Sequence, residues 1–196
     1  MDGHLTAKGQ ATRARILATA AELVHRQGVA GTQIDDVRRA AGVSGSQMTH
    51  YFHDKRTLIE DVIHWQADST LETQGSLDSF DAWHQWADQV VARQTARSFQ
   101  GGCDFGSLAG QLVESGPSVR AHLADGYDRW IELFSHDLHT MRSHGVLRHD
   151  ADPDALAHTM LAAMQGGVLL AQTLRRPEPL RDSLDAALNH LESFAR

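Results

Sequence analysis

Apolar residues recur at helical spacing along nearly the whole chain. No stretch combines sustained apolar–polar alternation with the β-branched enrichment of a strand. The first segment runs from about Thr12 to Gln27, with Ile16, Leu17, Ala20, Leu23 and Val24 on one face, and Gly28 stops it. Thr32 is placed as the N-cap of a second helix, which carries Ile34, Val37 and Ala41 inward and ends at Gly42. Ser44 caps a third helix that reaches about Phe52. A fourth begins near Asp54 and carries Leu58, Ile59, Val62 and Ile63.

The second half predicts longer helices. Ser79 caps one with Phe80, Trp83, Ala87, Val90 and Val91 along a stripe. Gly101, Gly102 and Gly106 break the chain before a short helix over Ser107–Glu114. A long helix follows from Ser118 to about His144, with Leu123, Tyr127, Trp130, Ile131, Phe134, Leu138 and Met141 inward. Asp152 then Pro153 reads as a cap followed by proline at the first helical position. That helix runs to about Arg175, and Pro177 and Pro179 close it. The last helix sets Leu180, Leu184, Leu188 and Leu191 in register. The fold class expected is all-α.

The 196 residues suffice for one or two domains with a real core, and 41% hydrophobic with 22% charged residues describes an ordinary globular chain. No apolar run approaches the ~20 residues of a membrane span, and Met1–Gln10 has no apolar signal region. Cys103 is the single cysteine, so no internal disulfide forms, and a reducing, cytoplasmic setting is expected. The net charge of −7 argues against nucleic acid until the chain is divided. Residues 1–56 hold eight Lys/Arg and five Asp/Glu; the remainder holds ten basic and twenty acidic residues. A basic head on an acidic body can meet phosphates at one end.

The second and third helices are joined by Ala41-Gly42-Val43-Ser44. A short glycine turn between two short helices is the helix-turn-helix pattern. Val43 plugs the angle between them. Met48, Tyr51 and Phe52 form the inward stripe of the third helix, and Gly45, Ser46, Gln47, Thr49, His50 and His53 are left outside. Small and polar residues suit a helix that enters a major groove.

The stretch from Gly28 through Thr32, Ile34, Val37, Ala41, Gly42 and Val43 to Ser44, followed by His50-Tyr51-Phe52-His53-Asp54-Lys55-Arg56-Thr57-Leu58, resembles the TetR family of bacterial repressors. The likeness covers about Thr12 to Trp65, roughly a third of the chain, without a gap. It implies an all-helical homodimer with two DNA-binding heads and a variable C-terminal ligand-binding domain. We therefore expect a helix-turn-helix DNA-binding domain over 9–56 and a helical ligand-binding and dimerisation domain over 57–196. The partners expected are a double-stranded DNA operator, a small-molecule effector and a second copy of the chain, with no membrane and no cofactor. The family often has lysine, glycine and tyrosine where this chain has Gly45, Ser46 and Thr49, which removes two phosphate contacts. Gln47 is the first choice for base reading, since an amide pairs bidentately with adenine. Lys55 matches a common phosphate contact, and the backbone amides of Thr32 and Gln33 are placed to meet another. Ser44 and Tyr51 complete the DNA-facing set.

In the C-terminal half, Trp83, Trp86, Tyr127, Trp130 and Phe134, faced by Met160 and Met164, suit a cavity for an apolar or planar ligand. Gly102-Cys103-Asp104-Phe105-Gly106-Ser107-Leu108-Ala109 resembles a segment of a family subset that includes drug-responsive repressors. Ala163, Gly167 and Ala171 form a row of small residues. With Leu184, Leu188 and Leu191 they predict a four-helix dimer interface. The function expected is that of a ligand-responsive repressor on a palindromic operator. The alternative is a regulator of the same fold that senses oxidation through Cys103 or a metal through its histidines. His136 and His139, with His144, His149 and His122, supply imidazoles but no His-Glu-x-x-His spacing. No nucleophile elbow, P-loop or dinucleotide fingerprint points to an enzyme.

Overall fold

The computed structural model describes residues 5–196. Among these residues the backbone forms α1 (Ala7–Gly31), α2 (Ile34–Ala40), α3 (Gly45–Tyr51), α4 (Lys55–Glu72), α5 (Phe80–Ala96), α6 (Asp104–Leu112), α7 (Pro117–Ser143), α8 (Pro153–Leu174) and α9 (Glu178–Glu192). The one extended pairing described is an isolated bridge between Leu147 and Ala195. The all-α expectation holds. The chain divides into two compact units. One takes the chain up to Glu72 together with Ser107–Gly126; the other takes Thr73–Gly106 and Tyr127–Arg196.

In the first unit α1 buries Ile16, Leu17, Ala20, Ala21, Leu23 and Val24, and α4 buries Leu58, Ile59, Val62 and Ile63. Arg13 of α1 donates to Asp61 of α4 at 2.5 Å, and its guanidinium lies 5.6 Å from the centre of the Phe52 ring. One side chain thus ties α1 to α4 and to the residue that closes α3.

α1 begins earlier than the apolar pattern alone places it, because the Thr6 hydroxyl accepts the Gly9 N–H at 3.2 Å and caps the added turn. Gly28, at φ 75°, interrupts the helix as expected, but the chain completes one more turn to Gly31. Thr32 is not the cap of α2. It is buried, its hydroxyl donates to the Gly28 carbonyl at 2.8 Å, and Gln33 takes the cap position.

In the second unit α8 and α9 pack closely. A Cβ on Gly167 would lie 3.0 Å from the Cα of Leu180, so the two backbones are already in contact there. The Ser183 hydroxyl of α9 donates to the Ala163 carbonyl of α8 at 3.1 Å. The small-residue row therefore does its close packing inside one chain. Of the residues expected at the surface between subunits, Gly167, Ala171, Leu184, Leu188 and Leu191 are buried within the single chain and Ala163 is half-buried. Ala171 and Leu191 are 0% exposed and Leu184 is 1% exposed within a single protomer. Helical periodicity marks a face that a neighbouring helix covers; it does not say to which chain that helix belongs. The large apolar residues that α8 leaves outside are Leu169, Leu170 and Leu174, at 61%, 52% and 49% exposure.

α6 starts at Asp104, ahead of the expected Ser107. The turn before it holds Ser98 and Phe99 in the left-handed region at φ 50° and 56°. Such a conformation persists only where its surroundings fix it. Here the Phe99 N–H donates to the Gln94 carbonyl at 2.8 Å, and Arg175 at the end of α8 donates to the Phe99 carbonyl.

Gly167→Ala is expected to lower the unfolding free energy by about 1–3 kcal/mol, because α9 must move to admit the methyl group. Urea denaturation monitored by circular dichroism checks this. A midpoint equal to that of the native chain would show that the contact yields freely.

Candidate nucleic-acid interface and aromatic cluster

α3 is positioned by its apolar side. Met48 and Phe52 are buried, Val43 in the preceding turn is 5% exposed, and Gly42 makes that turn at φ 64°. What remains outside is Ser44, Gly45, Ser46, Gln47, Thr49, His50 and His53. Tyr51 is half-buried and meets His50 edge to face at 5.0 Å, so it belongs partly to the inward stripe.

Several of these side chains already hold the helix together. The Ser44 hydroxyl accepts the Gln47 N–H at 3.2 Å, and the Gln47 Oε1 accepts the Ser44 N–H at 3.0 Å. This reciprocal capping box satisfies two backbone donors at the start of the helix. Bidentate pairing to adenine needs the same oxygen, so Gln47 must give up its cap to read a base in that way. Thr49 donates to the Gly45 carbonyl at 3.1 Å, and the Ser46 and Ser44 hydroxyls lie 3.0 Å apart. Sequence spacing alone carried the signal for the box, since Gln47 follows Ser44 by three residues.

The start of α2 differs from expectation. The Thr32 N–H donates to the Val29 carbonyl at 3.3 Å, and the Gln33 N–H donates to the Asp36 carboxylate at 3.2 Å. Both amides proposed for a phosphate are engaged within the chain, one of them by an acidic group. Arg38 and Arg39 are likewise paired along their own helix, Arg38 with Asp35 at 2.7 Å and Arg39 with Asp36. The hydrogen bond from Arg38 holds the Asp35 carboxyl below its ordinary pKa. Asp54 caps α4 by accepting the Thr57 N–H at 2.8 Å, which places half-buried Lys55 at the first position of that helix.

In the second unit Trp83 and Trp86 of α5 meet Phe134 of α7 edge to face, at centroid distances of 5.0 and 5.3 Å. Trp130 joins the same ring at 6.2 Å, and Tyr127 pairs with Phe105 at 4.9 Å. Met160 and Met164 are buried on α8. Four of the expected ligand residues thus form one cluster, and it is a packed interior: Trp83 and Phe134 are 0% exposed. The indole nitrogens of Trp83 and Trp130 are enclosed and have no hydrogen-bond partner among the described residues. An unpaired buried donor costs roughly 1–3 kcal/mol. Burial, with a smaller contribution from neighbouring Cys103, pushes the Tyr127 hydroxyl up to about 12.

The Cys103 residue is half-buried, but its sulfur accepts from the Gly106 N–H and from Gln165, each at 3.4 Å. Burial raises the thiol above its ordinary pKa, which keeps it protonated and weakly nucleophilic. Gln165 escaped the sequence reading, since a glutamine one helix away carries no spacing signal. Of the histidines, His122 meets His64 at 4.5 Å within the first unit, and His139 lies 3.3 Å from Asp154. Among the described residues no three His, Cys, Asp or Glu side chains form a group that fits a metal ion. No helix described is long and apolar enough to cross a membrane.

Comparison with known proteins agrees with this geometry. Residues 16–62 match the model of bacterial regulatory proteins of the tetR family, and residues 80–187 match that of the tetracyclin repressor-like C-terminal domain. The transcriptional regulator AcuR of Cereibacter sphaeroides is 28% identical over 170 residues, covering 81% of this chain and 75% of that protein. The HTH-type transcriptional repressor DhaR of a Mycobacterium species is 22% identical over 186 residues, covering 91% of each. A crystal structure of a TetR transcriptional regulator from Chloroflexus aurantiacus superposes with a TM-score of 0.81 at 26% identity, covering 97% of this chain and 99% of that one. The polar outer face of α3 and these matches along both regions lead to one conclusion: the chain belongs to the TetR family of DNA-binding transcriptional regulators.

Proposed function

We propose that the protein is a ligand-responsive repressor that binds a palindromic operator as a homodimer and leaves it when a small apolar or aromatic molecule binds the second unit. The observation that carries the reading is the outer face of α3. Gly45, Ser46, Gln47, Thr49 and His50 are all exposed, while Met48 and Phe52 anchor the opposite side. In this reading Ser44, Tyr51, His53 and Lys55 flank the groove contact. The DNA-binding domain spans residues 9–56, and residues 57–196 serve ligand and dimer.

The exposed Leu169, Leu170 and Leu174 of α8 support the dimer, as an apolar face that the chain's own helices leave uncovered. A ligand releases DNA only if it binds the non-binding conformation more tightly. A coupling of ~1–3 kcal/mol would weaken operator affinity roughly 5–150-fold. α7 offers a route for that coupling, because Trp130 and Phe134 share its continuous backbone with Val119 and Leu123 of the first unit.

Three outcomes test the reading. Selection from random DNA should recover palindromes whose half-sites lie about one helical turn, ~34–36 Å, or a multiple apart. Affinity for them should fall steeply with salt as phosphate contacts release counterions. Recovery of only non-palindromic DNA with salt-independent affinity would sink the DNA reading. Next, Leu170→Glu with Leu174→Glu should give a folded monomer in sedimentation, since charge is costly in an apolar interface. A dimer that persists places the subunit contact elsewhere. Finally, Gln47→Ala should cost about 0.5–1.5 kcal/mol through the lost hydrogen bond to the Ser44 N–H, while Gln47→Glu keeps an accepting oxygen and most of that stability. Equal melting losses in both variants would show that the box contributes nothing.

A further inference from the structure

We propose that the effector carries a neutral hydrogen-bond acceptor, such as a carbonyl, ether or nitro oxygen, which the indole N–H groups of Trp83 and Trp130 receive. The proposal rests on the ligand-responsive reading above and narrows the chemistry of what binds.

Trp83 is 0% and Trp130 6% exposed, and the N–H of each is sealed from solvent without an acceptor. Folded interiors leave few polar atoms unpaired, so two on one ring cluster need a reason. The two indoles are neighbours of the same side chain, Phe134, at 5.0 and 6.2 Å. Phenylalanine at either position would supply an aromatic ring without an unpaired donor. An indole nitrogen donates and does not accept, so its partner must be an acceptor. Tyr127 precedes Trp130 by one helical turn on α7, and its hydroxyl stays protonated through the physiological range, which adds a third donor on that stretch of helix.

The acceptor is neutral because Trp83, Trp86, Tyr127, Trp130 and Phe134 include no cation. A carboxylate or phosphate brought among them would lose its hydration without a counter-charge. The rest of the ligand is apolar, since rings make up its surroundings. Trp83 and Phe134 are fully enclosed, so the ligand enters a conformation in which the rings have parted. The unpaired donors make the closed arrangement less stable than a fully satisfied core, and the acceptor restores in the open one what the closed one lacks.

Acetophenone and ethylbenzene provide the test, because they share a shape and differ by a carbonyl in place of a methylene. The full-length protein is titrated with each by calorimetry. Acetophenone should bind at least ~10-fold more tightly, the gain expected of a hydrogen bond to an otherwise idle buried donor. Trp83→Phe and Trp130→Phe should each reduce that ratio by ~5-fold or more. Thermal melts establish that the variants fold; if one does not, the other and the native ratio still decide. Equal affinity of the native protein for both probes overturns the acceptor proposal and leaves the ligand reading standing. A native preference that both folded variants retain in full also overturns it, because the carbonyl is then received elsewhere. Binding of neither probe at millimolar concentration overturns the acceptor proposal, because a carbonyl-bearing aromatic then finds no donor pair to receive it, and leaves the ligand reading standing.

Discussion

A helix of seven residues makes too few internal hydrogen bonds to persist alone in water, so α3 depends on burial of its apolar side. Met48 and Phe52 supply that burial, and Arg13 lies over the Phe52 ring while donating to Asp61. The direction in which α3 presents Ser46, Thr49 and His50 follows from this anchor. The capping box then fixes the first turn from within, through Ser44 and Gln47. A contact face that draws its rigidity from the core needs no side chains of its own for support beyond the cap. That leaves the outer positions small and polar.

The same economy limits which charges are available to DNA. The head is basic by composition, yet Arg38 and Arg39 of α2 are held by Asp35 and Asp36 three or four residues away. Exposed pairs of this kind are weak and exchange with solvent, so they bias the arginines without locking them. Asp36 also occupies the Gln33 N–H that would otherwise face a phosphate. The start of α2 is thus satisfied within the chain, whereas the outer face of α3 leaves Ser46, Thr49 and His50 exposed.

Much of this was legible in the sequence, for reasons that differ by element. The spacing of Ile16, Leu17, Ala20 and Val24 and the turn at Gly42 are local signals, and each helix they predict is present. The Ser44 cap was equally local. The competing role of Gln47 was signalled by its place three residues after Ser44, but its residue type fits base reading as well, and geometry shows the side chain engaged in the cap. Thr32 failed as a cap for a related reason. A threonine before a helix is a good cap in isolation, but here Gly28 offers its carbonyl four residues back, and the hydroxyl turns inward. The aromatic stripe was readable as a cluster. That two of its indoles lack acceptors was not, since nothing in the order of residues shows where a donor's partner is missing.

The two apolar faces of α8 show where periodicity stops being informative. One face carries Ala163, Gly167 and Ala171, small enough that the Leu180 backbone of α9 lies at the contact limit of Gly167. The other carries Leu169, Leu170 and Leu174, open to solvent. From sequence the small row is the more conspicuous, and close helix approach suggests an assembly. Yet close approach requires small residues wherever it occurs, within a chain as much as between chains. Large exposed leucines are the stronger mark of a missing partner, because each leaves apolar surface in water at a cost of about 25 cal/mol per Å² that a second copy can remove. α8 therefore carries two apolar faces, one covered by α9 through its small residues and one left open at its leucines.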